Sequence, residues 1–453
     1  MPHQEELTIV APITPGRQAA LEQRLGTIEH HAQNGGWDLI PFGELRGLHF
    51  ASLFVLPAVE LDGEPRPAQL VLMTNVDAPL SSHLNELTTL AGGGLDAVFG
   101  ECERYPETTR RTPQARRQFL RDHRVHADVF YTNRQGRSLE QIRQEDALRK
   151  AIETHLDETP LDDECVQCVR DSIVDFVGSQ PELRWALSPA APPSRLWQAQ
   201  QALHLVSRLA GVAAASPLLL AVAPWAVMAL RRHEQSDVPD RSAAAPTRIK
   251  ALRADEDFSV QNQIVAAGAF KRGWFRKLTA GAILDLADFS IRHVYNRGSL
   301  SGLNTIHFAR WVKIDGGKRL FFASNYDGSL ESYMNDFIDK AAWGLNAIFS
   351  SGEGFPRTAF LFCLGITDEI AYKRFLPTRQ VRTNVWYSAY PHLTTKNLAN
   401  NAAIRRGLSA KMSLEETRAW LRRFGAGHEL PRANVVARWL DAIRWDTTCQ
   451  ACK

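Results

Sequence analysis

Two histidines occupy the same place in two similar stretches: His49 in Leu48-His49-Phe50-Ala51 and His307 in Ile306-His307-Phe308-Ala309. An imidazole changes charge near neutral pH, so a strand histidine can hold a metal or haem iron or move a proton. It can equally be a core residue with both nitrogens satisfied. Its presence in both copies favours the core, because duplicated active sites often survive in one copy only. Asn325 and Asp327 lie in Ser324-Asn325-Tyr326-Asp327-Gly328, where a strand enters a helix. Aspartate is a strong N-cap, and capping accounts for Asp77 and Asp327 without chemistry. The first copy reads Thr74-Asn75-Val76-Asp77-Ala78, so only the second has a glycine that lets backbone approach a ligand closely. Arg310 is the nearest cation. Strand alternation puts His307, Ala309 and Trp311 on one face and Ile306, Phe308 and Arg310 on the other. Without a bulge, His307 and Asp327 therefore share a site while Arg310 pairs elsewhere.

Cys165-Val-Gln-Cys168 and Cys449-Gln-Ala-Cys452 are two C-x-x-C pairs. Four thiolates at such spacings suit tetrahedral zinc, and the C-terminal pair alone suits redox exchange, while the first pair sits on a helical pattern. Yet 280 residues separate the pairs, and nothing in the sequence brings them together. No Walker loop, nucleophile elbow or H-E-x-x-H is present.

The histidines belong to an internal repeat. Thr74-Asn75-Val76-Asp77 matches Ser324-Asn325-Tyr326-Asp327, Gly94–Phe99 matches Gly344–Phe349, and Val129-Phe130-Tyr131 matches Val385-Trp386-Tyr387. The offset is 258 at the histidine, 250 through the middle and 256 at the last strand, changing only at loops. In the first copy the periodicities predict strand Leu7–Ile13, helix Arg17–His31, hairpin Leu48–Leu56 and Gln69–Thr74, helix Pro79–Ala91, closing strand Ala127–Thr132 and an appended helix Leu139–Leu156. In the second they predict Ser259–Ala267, Trp274–Tyr295, Ile306–Ile314 and Arg319–Ser324, Ser329–Trp343, closing strand Val385–Ala389 and appended helix Leu393–Leu408. Helices Leu414–Arg423 and Asn434–Trp445 follow. The order is β-α-β-β-α-β twice, the ferredoxin-like unit.

Between the copies, Asp162–Val177 is helix-like and Ser188–Ser194 reads as linker. Leu209–Leu230 carries no charge and is flanked by Arg208 and by Arg231-Arg232. A hydrocarbon core about 30 Å thick needs about 20 apolar residues. Pro217 and Pro224 interrupt a straight span and fit a re-entrant or interfacial segment on the cytoplasmic side. The chain divides into a first module 1–160, a helical linker 161–257 with the apolar segment, and a second module 258–453 with C-terminal helices. A net charge of +3 with scattered Lys and Arg argues against nucleic acid. Six cysteines in 453 residues make no disulfide scaffold.

Two tandem ferredoxin-like units resemble the dimeric α+β barrel superfamily, and within it the dye-decolorising peroxidases; chlorite dismutases are more distantly similar. The resemblance covers about 5–135 and 258–390 in outline. That family's G-x-x-D-G is approached here by Ser324-Asn325-Tyr326-Asp327-Gly328, with Ser at the first Gly. The chain also resembles bacterial membrane-associated proteins carrying an I-H-F-A-R-W…S-N-x-D-G-S block. The peroxidase resemblance implies an intramolecular α+β barrel and a haem-dependent, peroxidase-like oxidoreductase at the membrane. It makes His307 the iron ligand or distal base, with Asp327, Arg310 and Asn325 as polar partners. The competing expectation is a non-catalytic membrane-associated module that binds membrane lipid or a small apolar ligand.

Overall fold

Strands with apolar residues on both faces, such as Leu48-His-Phe-Ala-Ser-Leu-Phe-Val-Leu56, must be covered on both sides. The computed structural model shows how; it describes residues 4–33, 36–159, 165–189, 194–254, 256 and 259–424. The expected helix Asn434–Trp445 and the pair Cys449/Cys452 lie outside the described residues. The first module runs β1 (Gln4–Pro12), α1 (Gln18–Gln33), β2 (Leu48–Leu56), β3 (Gln69–Asp77), α2 (Leu80–Leu90), β4 (Val129–Thr132) and α3 (Leu139–Glu158). Then come α4 (Val166–Ser179) and α5 (Arg195–Ser236). The second module runs β5 (Gln261–Ala269), α6 (Trp274–His293), β6 (Ile306–Ile314), β7 (Arg319–Asp327), α7 (Leu330–Lys340), β8 (Gln380–Val381), β9 (Thr383–Ser388) and α8 (Thr395–Ser409). The class is α+β, with antiparallel sheets.

Two compact units result: the chain up to Gln141 with Pro193–Thr395, and Ile142–Pro192 with the chain from Lys396 on. Both large sheets belong to the first unit. Ala51 and Leu53 of β2 and Leu70 and Leu72 of β3 pack with Leu21 and Leu25 of α1 and Leu84 and Leu87 of α2. The opposite face carries Phe54, Leu56, Val71 and Met73, which meet Val265, Val312, Ile314, Phe321 and Ala323 of the second sheet. That second sheet covers its outer face with Ala280 and Leu284 of α6 and Tyr333 and Phe337 of α7. The other unit has its own core, in which Leu148, Ile173 and Val177 meet Ile404, Leu408 and Trp420.

The sheets are not closed as the repeat implies. The sequence reading gives each module its own closing strand; instead the closing strands are exchanged. The sheet orders are β1-β3-β2-β9 and β8-β5-β7-β6-β4. β9 of the second module pairs with β2 of the first, Val385 opposite Leu53 and Tyr387 opposite Ala51. β4 of the first module pairs with β6 of the second, Val129 opposite Trp311 and Tyr131 opposite Ala309. Just before each exchange the chain still touches its own module. Val125 N donates to Thr8 O at 2.9 Å, and Val381 pairs opposite Val265. Each closing segment thus starts on its own first strand and ends on its sister's second strand. This pairs backbone groups at edges that would otherwise stay open. Polar clamps follow the exchange. Arg310 donates to Thr8 Oγ1 at 2.8 Å, Leu7 O at 3.0 Å and Thr74 O at 3.0 Å, and pairs with Glu6 at 3.3 Å. Arg319 donates to Gln69 Oε1 at 2.7 Å.

α5 is one continuous helix through both prolines, so the expected re-entrant break is absent. Among the described residues it is the one helix long and apolar enough to cross a membrane, and its most apolar window is 0% buried in the protein. His204 meets His293 at 2.9 Å, and Trp225 stacks on Trp274. These contacts run α5 antiparallel to α6. Its C-terminal end is held by Glu234, whose buried carboxylate accepts from Leu361 N at 2.8 Å, Phe360 N at 2.9 Å and Thr358 Oγ1 at 3.0 Å.

The exchange makes each half incomplete. Residues 1–160 expressed alone are expected to be aggregation-prone or dimeric, because β2 lacks its partner β9. A stable soluble monomer in analytical ultracentrifugation is the outcome that contradicts this. A second expectation concerns His83, which lies on α2 at a 3.0 Å hydrogen bond to Thr74 Oγ1. Burial lowers its pKa from 6.5 to about 4. Between those values the unfolded chain binds a proton that the folded chain refuses, so stability rises with pH across this window and falls on acidification. The full effect is about 3 kcal/mol. Urea titrations of wild type and His83→Gln between pH 4 and 7 read it, and the variant is expected to show the flatter dependence.

Candidate functional site

Register shifts between Leu48 and Phe50, and between Ile306 and Phe308, put a bulge at each repeated histidine. The bulge breaks the simple alternation. Ile306 joins Ala309 and Trp311 in the core facing the helices, while Phe308 sits near Phe50 of the sister sheet. An extra residue in a strand re-aims its neighbours in this way.

Both histidines are buried and both meet the repeated aspartate. His307 Nε2 donates to Asp327 Oδ1 at 2.7 Å, and His49 Nε2 donates to Asp77 Oδ1 at 3.1 Å. The second oxygen of each carboxylate accepts from the first residue of the appended helix. Asp327 Oδ2 takes Thr395 N at 2.7 Å and Thr395 Oγ1 at 2.8 Å; Asp77 Oδ2 takes Leu139 N at 2.9 Å. The expectation that these aspartates cap the helix directly after them is therefore corrected. Pro79 and Ser329 occupy those N-cap positions, and the aspartates satisfy helices far along the chain. The carboxylates sit two residues before those N-cap positions, too early in the turn to cap α2 and α7.

The copies then differ. His49 Nδ1 accepts from Tyr390 Oη at 3.2 Å, which makes a Tyr390–His49–Asp77 chain across the two modules. Burial, reinforced by Asp77, holds the Tyr390 hydroxyl well above the ordinary tyrosine range, so it stays a donor. Nothing in the sequence pointed to Tyr390. Rings of His49, Phe50, His307, Phe308 and Tyr390 contact one another. Arg310 lies with β1 and β3, as described above, and Asn325 Nδ2 donates to Gln263 Oε1 at 3.0 Å. His307 and Asp327 are thus one site, Arg310 and Asn325 another.

Beside the second group is a cavity lined by Phe50, Asn75, Gln263, Phe308, Arg310 and Asn325, with about 10 Å³ of room. That holds about one water. Asn75 Nδ2 and Gln263 Nε2 are buried without partners and suit such a water. The imidazole nitrogen of His307 facing Asp327 is already engaged, and the ring is packed on Phe50 and Tyr390, so that nitrogen is not free to ligate a haem iron in this arrangement. No group of three or more His, Cys, Asp or Glu suited to a metal ion occurs among the described residues.

A cavity lined almost wholly by carbon lies elsewhere in the same unit. It holds about 240 Å³ between α6, the helix Ala342–Phe349 and the outer face of the second sheet. Ile283, Leu303, Trp311, Phe322, Phe337 and Ile348 line it. Trp311 is 2% exposed, and its Nε1 has no partner. The rim is apolar and open to solvent at Leu286, Trp343 and Phe362.

No protein-family model matches this chain, and no curated protein or solved structure does either.

The carboxylate geometry gives an unequal pair of variants. Asp327→Ala strands His307 Nε2 and Thr395 N, both held at 2.7 Å, while Thr395 Oγ1 keeps Asn304 O as acceptor; Asp77→Ala strands His49 Nε2 and Leu139 N, held at 3.1 and 2.9 Å. Each buried donor costs about 1–3 kcal/mol, and urea denaturation is expected to show the larger loss for Asp327→Ala, where the bonds are shorter. Equal losses would count against the carboxylates as ties to α8 and α3.

Proposed function

We propose that this chain is a non-catalytic, membrane-associated module that holds an amphiphile with a long apolar body, built as two ferredoxin-like units closed on each other into an α+β barrel. The observation carrying this reading is α5. Leu203, Leu218 and Leu220 are 69%, 68% and 74% exposed, and the apolar window around them is 0% buried. Fully burying a leucine is worth about 1.5–3 kcal/mol, and each of these forgoes most of it, so this helix favours an apolar phase.

The exchanged strands bear on how it enters one. A single span would put β4 and β6 on opposite sides of the bilayer, yet they are hydrogen-bonded partners. The helix also has 42 residues, about 63 Å at 1.5 Å per residue, twice the hydrocarbon thickness. We therefore read α5 as lying along the membrane surface. α6 touches it at His204 and Trp225, and lipid would cover the rest of the uncharged stretch, which is apolar all round. α6 adds Trp274, Leu278 and Leu286, 65%, 63% and 55% exposed, to the same apolar face. Arg208, Arg231 and Arg232 at the ends of the uncharged stretch favour the cytoplasmic leaflet.

The cavity beside α6 suits the ligand. Its walls are carbon, its rim opens at Leu286 on the apolar face, and Trp311 Nε1 offers one hydrogen bond to a carbonyl or ester oxygen. A few polar groups in an apolar cleft fix orientation in this way.

Gly344 lines the cavity, and a Cβ there meets nothing within 4 Å. Gly344→Leu is expected to fill the space without unfolding the chain. Native mass spectrometry of protein purified from membranes should find a bound amphiphile in wild type and at least tenfold less in the variant, with flotation on anionic liposomes unchanged. Wild type that neither floats with liposomes nor carries a ligand would overturn the proposal.

A further inference from the structure

Cys165 and Cys168 play no part in the reading above. They are joined as a disulfide at the N-terminus of α4. Cys165 is the N-cap residue, and its Sγ accepts from Cys168 N at 3.2 Å. Cys168 is exposed and Cys165 half-buried. The opposite face of α4 is fixed, with Val169, Ile173 and Val177 in the core of their unit. A bridge across two residues closes so short a loop that it restrains the unfolded chain little. Stability is a poor reason for it, whereas position favours exchange. A thiolate at a helix N-terminus is stabilised by the free amides and the dipole there. The thiol of Cys102, by contrast, is buried and pushed up to about 12 by that burial, so it does not compete.

We propose that Cys165–Cys168 is a redox-active pair that accepts two electrons from a dithiol. A thiolate of the donor attacks the exposed Sγ of Cys168 and forms a mixed disulfide. The Cys165–Cys168 bond breaks, and its electron pair stays on Cys165 Sγ, next to the Cys168 N–H. The donor's second thiol loses its proton to solvent and attacks the donor sulfur of the mixed disulfide, which releases Cys168 as thiolate. The donor leaves as a disulfide, oxidised by two electrons, and the pair becomes a dithiol after protonation by solvent. The attacking sulfur meets the accessible cysteine while the leaving sulfur sits where negative charge is stabilised, which is the order exchange favours.

The test uses the full chain with Cys449→Ser and Cys452→Ser, so that only this C-x-x-C reports. Dithiothreitol is the probe, and alkylation with mass spectrometry counts the thiols. Two thiols should appear together and disappear together on reoxidation, with near-ultraviolet circular dichroism unchanged. Reduction at pH 7 should be at least tenfold faster than in a peptide of the same local sequence. In the same background, Cys168→Ser should leave a Cys165 thiol whose alkylation rate turns on below the ordinary midpoint of about 8.5. A pair reduced only on unfolding, a peptide-like rate, or a Cys165 midpoint at or above the ordinary value would each overturn the proposal.

Discussion

A sheet edge leaves backbone donors and acceptors without partners, and both sheets here settle theirs by taking a strand from the other module. Much else follows from that exchange. It brings Arg310 against β1 and β3, and Arg319 against Gln69, so that buried cations find acceptors across the modules, Arg319 in addition to Asp315 of its own. It brings Tyr390, just beyond β9, onto His49 of the other copy. It also binds the halves of the chain on either side of α5 to one another, which limits how that helix meets a bilayer.

Comparing the copies separates framework from specialisation. Thr74–His83 and Ser324–Tyr333 are the same polar tie between third strand and helix, built from different rings. Asp96 and Asn346 occupy equivalent positions and both fasten the loop that follows, one through Tyr105 and Arg116, the other through the backbone of Phe362, Leu364 and Ile366. The histidine–aspartate ties recur as well, which favours a framework role. The first helices differ instead. α1 turns Glu22, Gln23 and Arg24 outward, while α6 turns Trp274, Leu278 and Leu286 outward. Divergence between copies thus falls on the outward face of the first helix, polar in one copy and apolar in the other.

Most elements were legible in the residues. The repeat and the two periodicities place β2, β6, α2 and α6 within a few residues of where they fold. The partner of each closing strand was not legible. Alternation in Val129–Thr132 or Val385–Ala389 tells which face is apolar, and both sheets offer the same kind of face. The His–Asp contact was half legible, since His307 and Asp327 lie on adjacent strands. The bulge that re-aims the strand, and the amide of Thr395 that takes the second oxygen, leave no mark in local sequence. The continuity of α5 ran against the ordinary reading of two prolines.

The exchange also sets an order of events while the chain is being made. β2 emerges early, but the strand that pairs with its edge lies about 330 residues later, so at ~5–20 residues per second the edge stays open for tens of seconds. During that time β4 is finished as well, with no β6 to receive it. Nascent chains therefore carry two unmatched β-edges together with the long, exposed apolar stretch of α5, already synthesised. Ribosome-bound intermediates of this architecture have reason to keep α5 on a membrane or a chaperone until the second module arrives to lock the first.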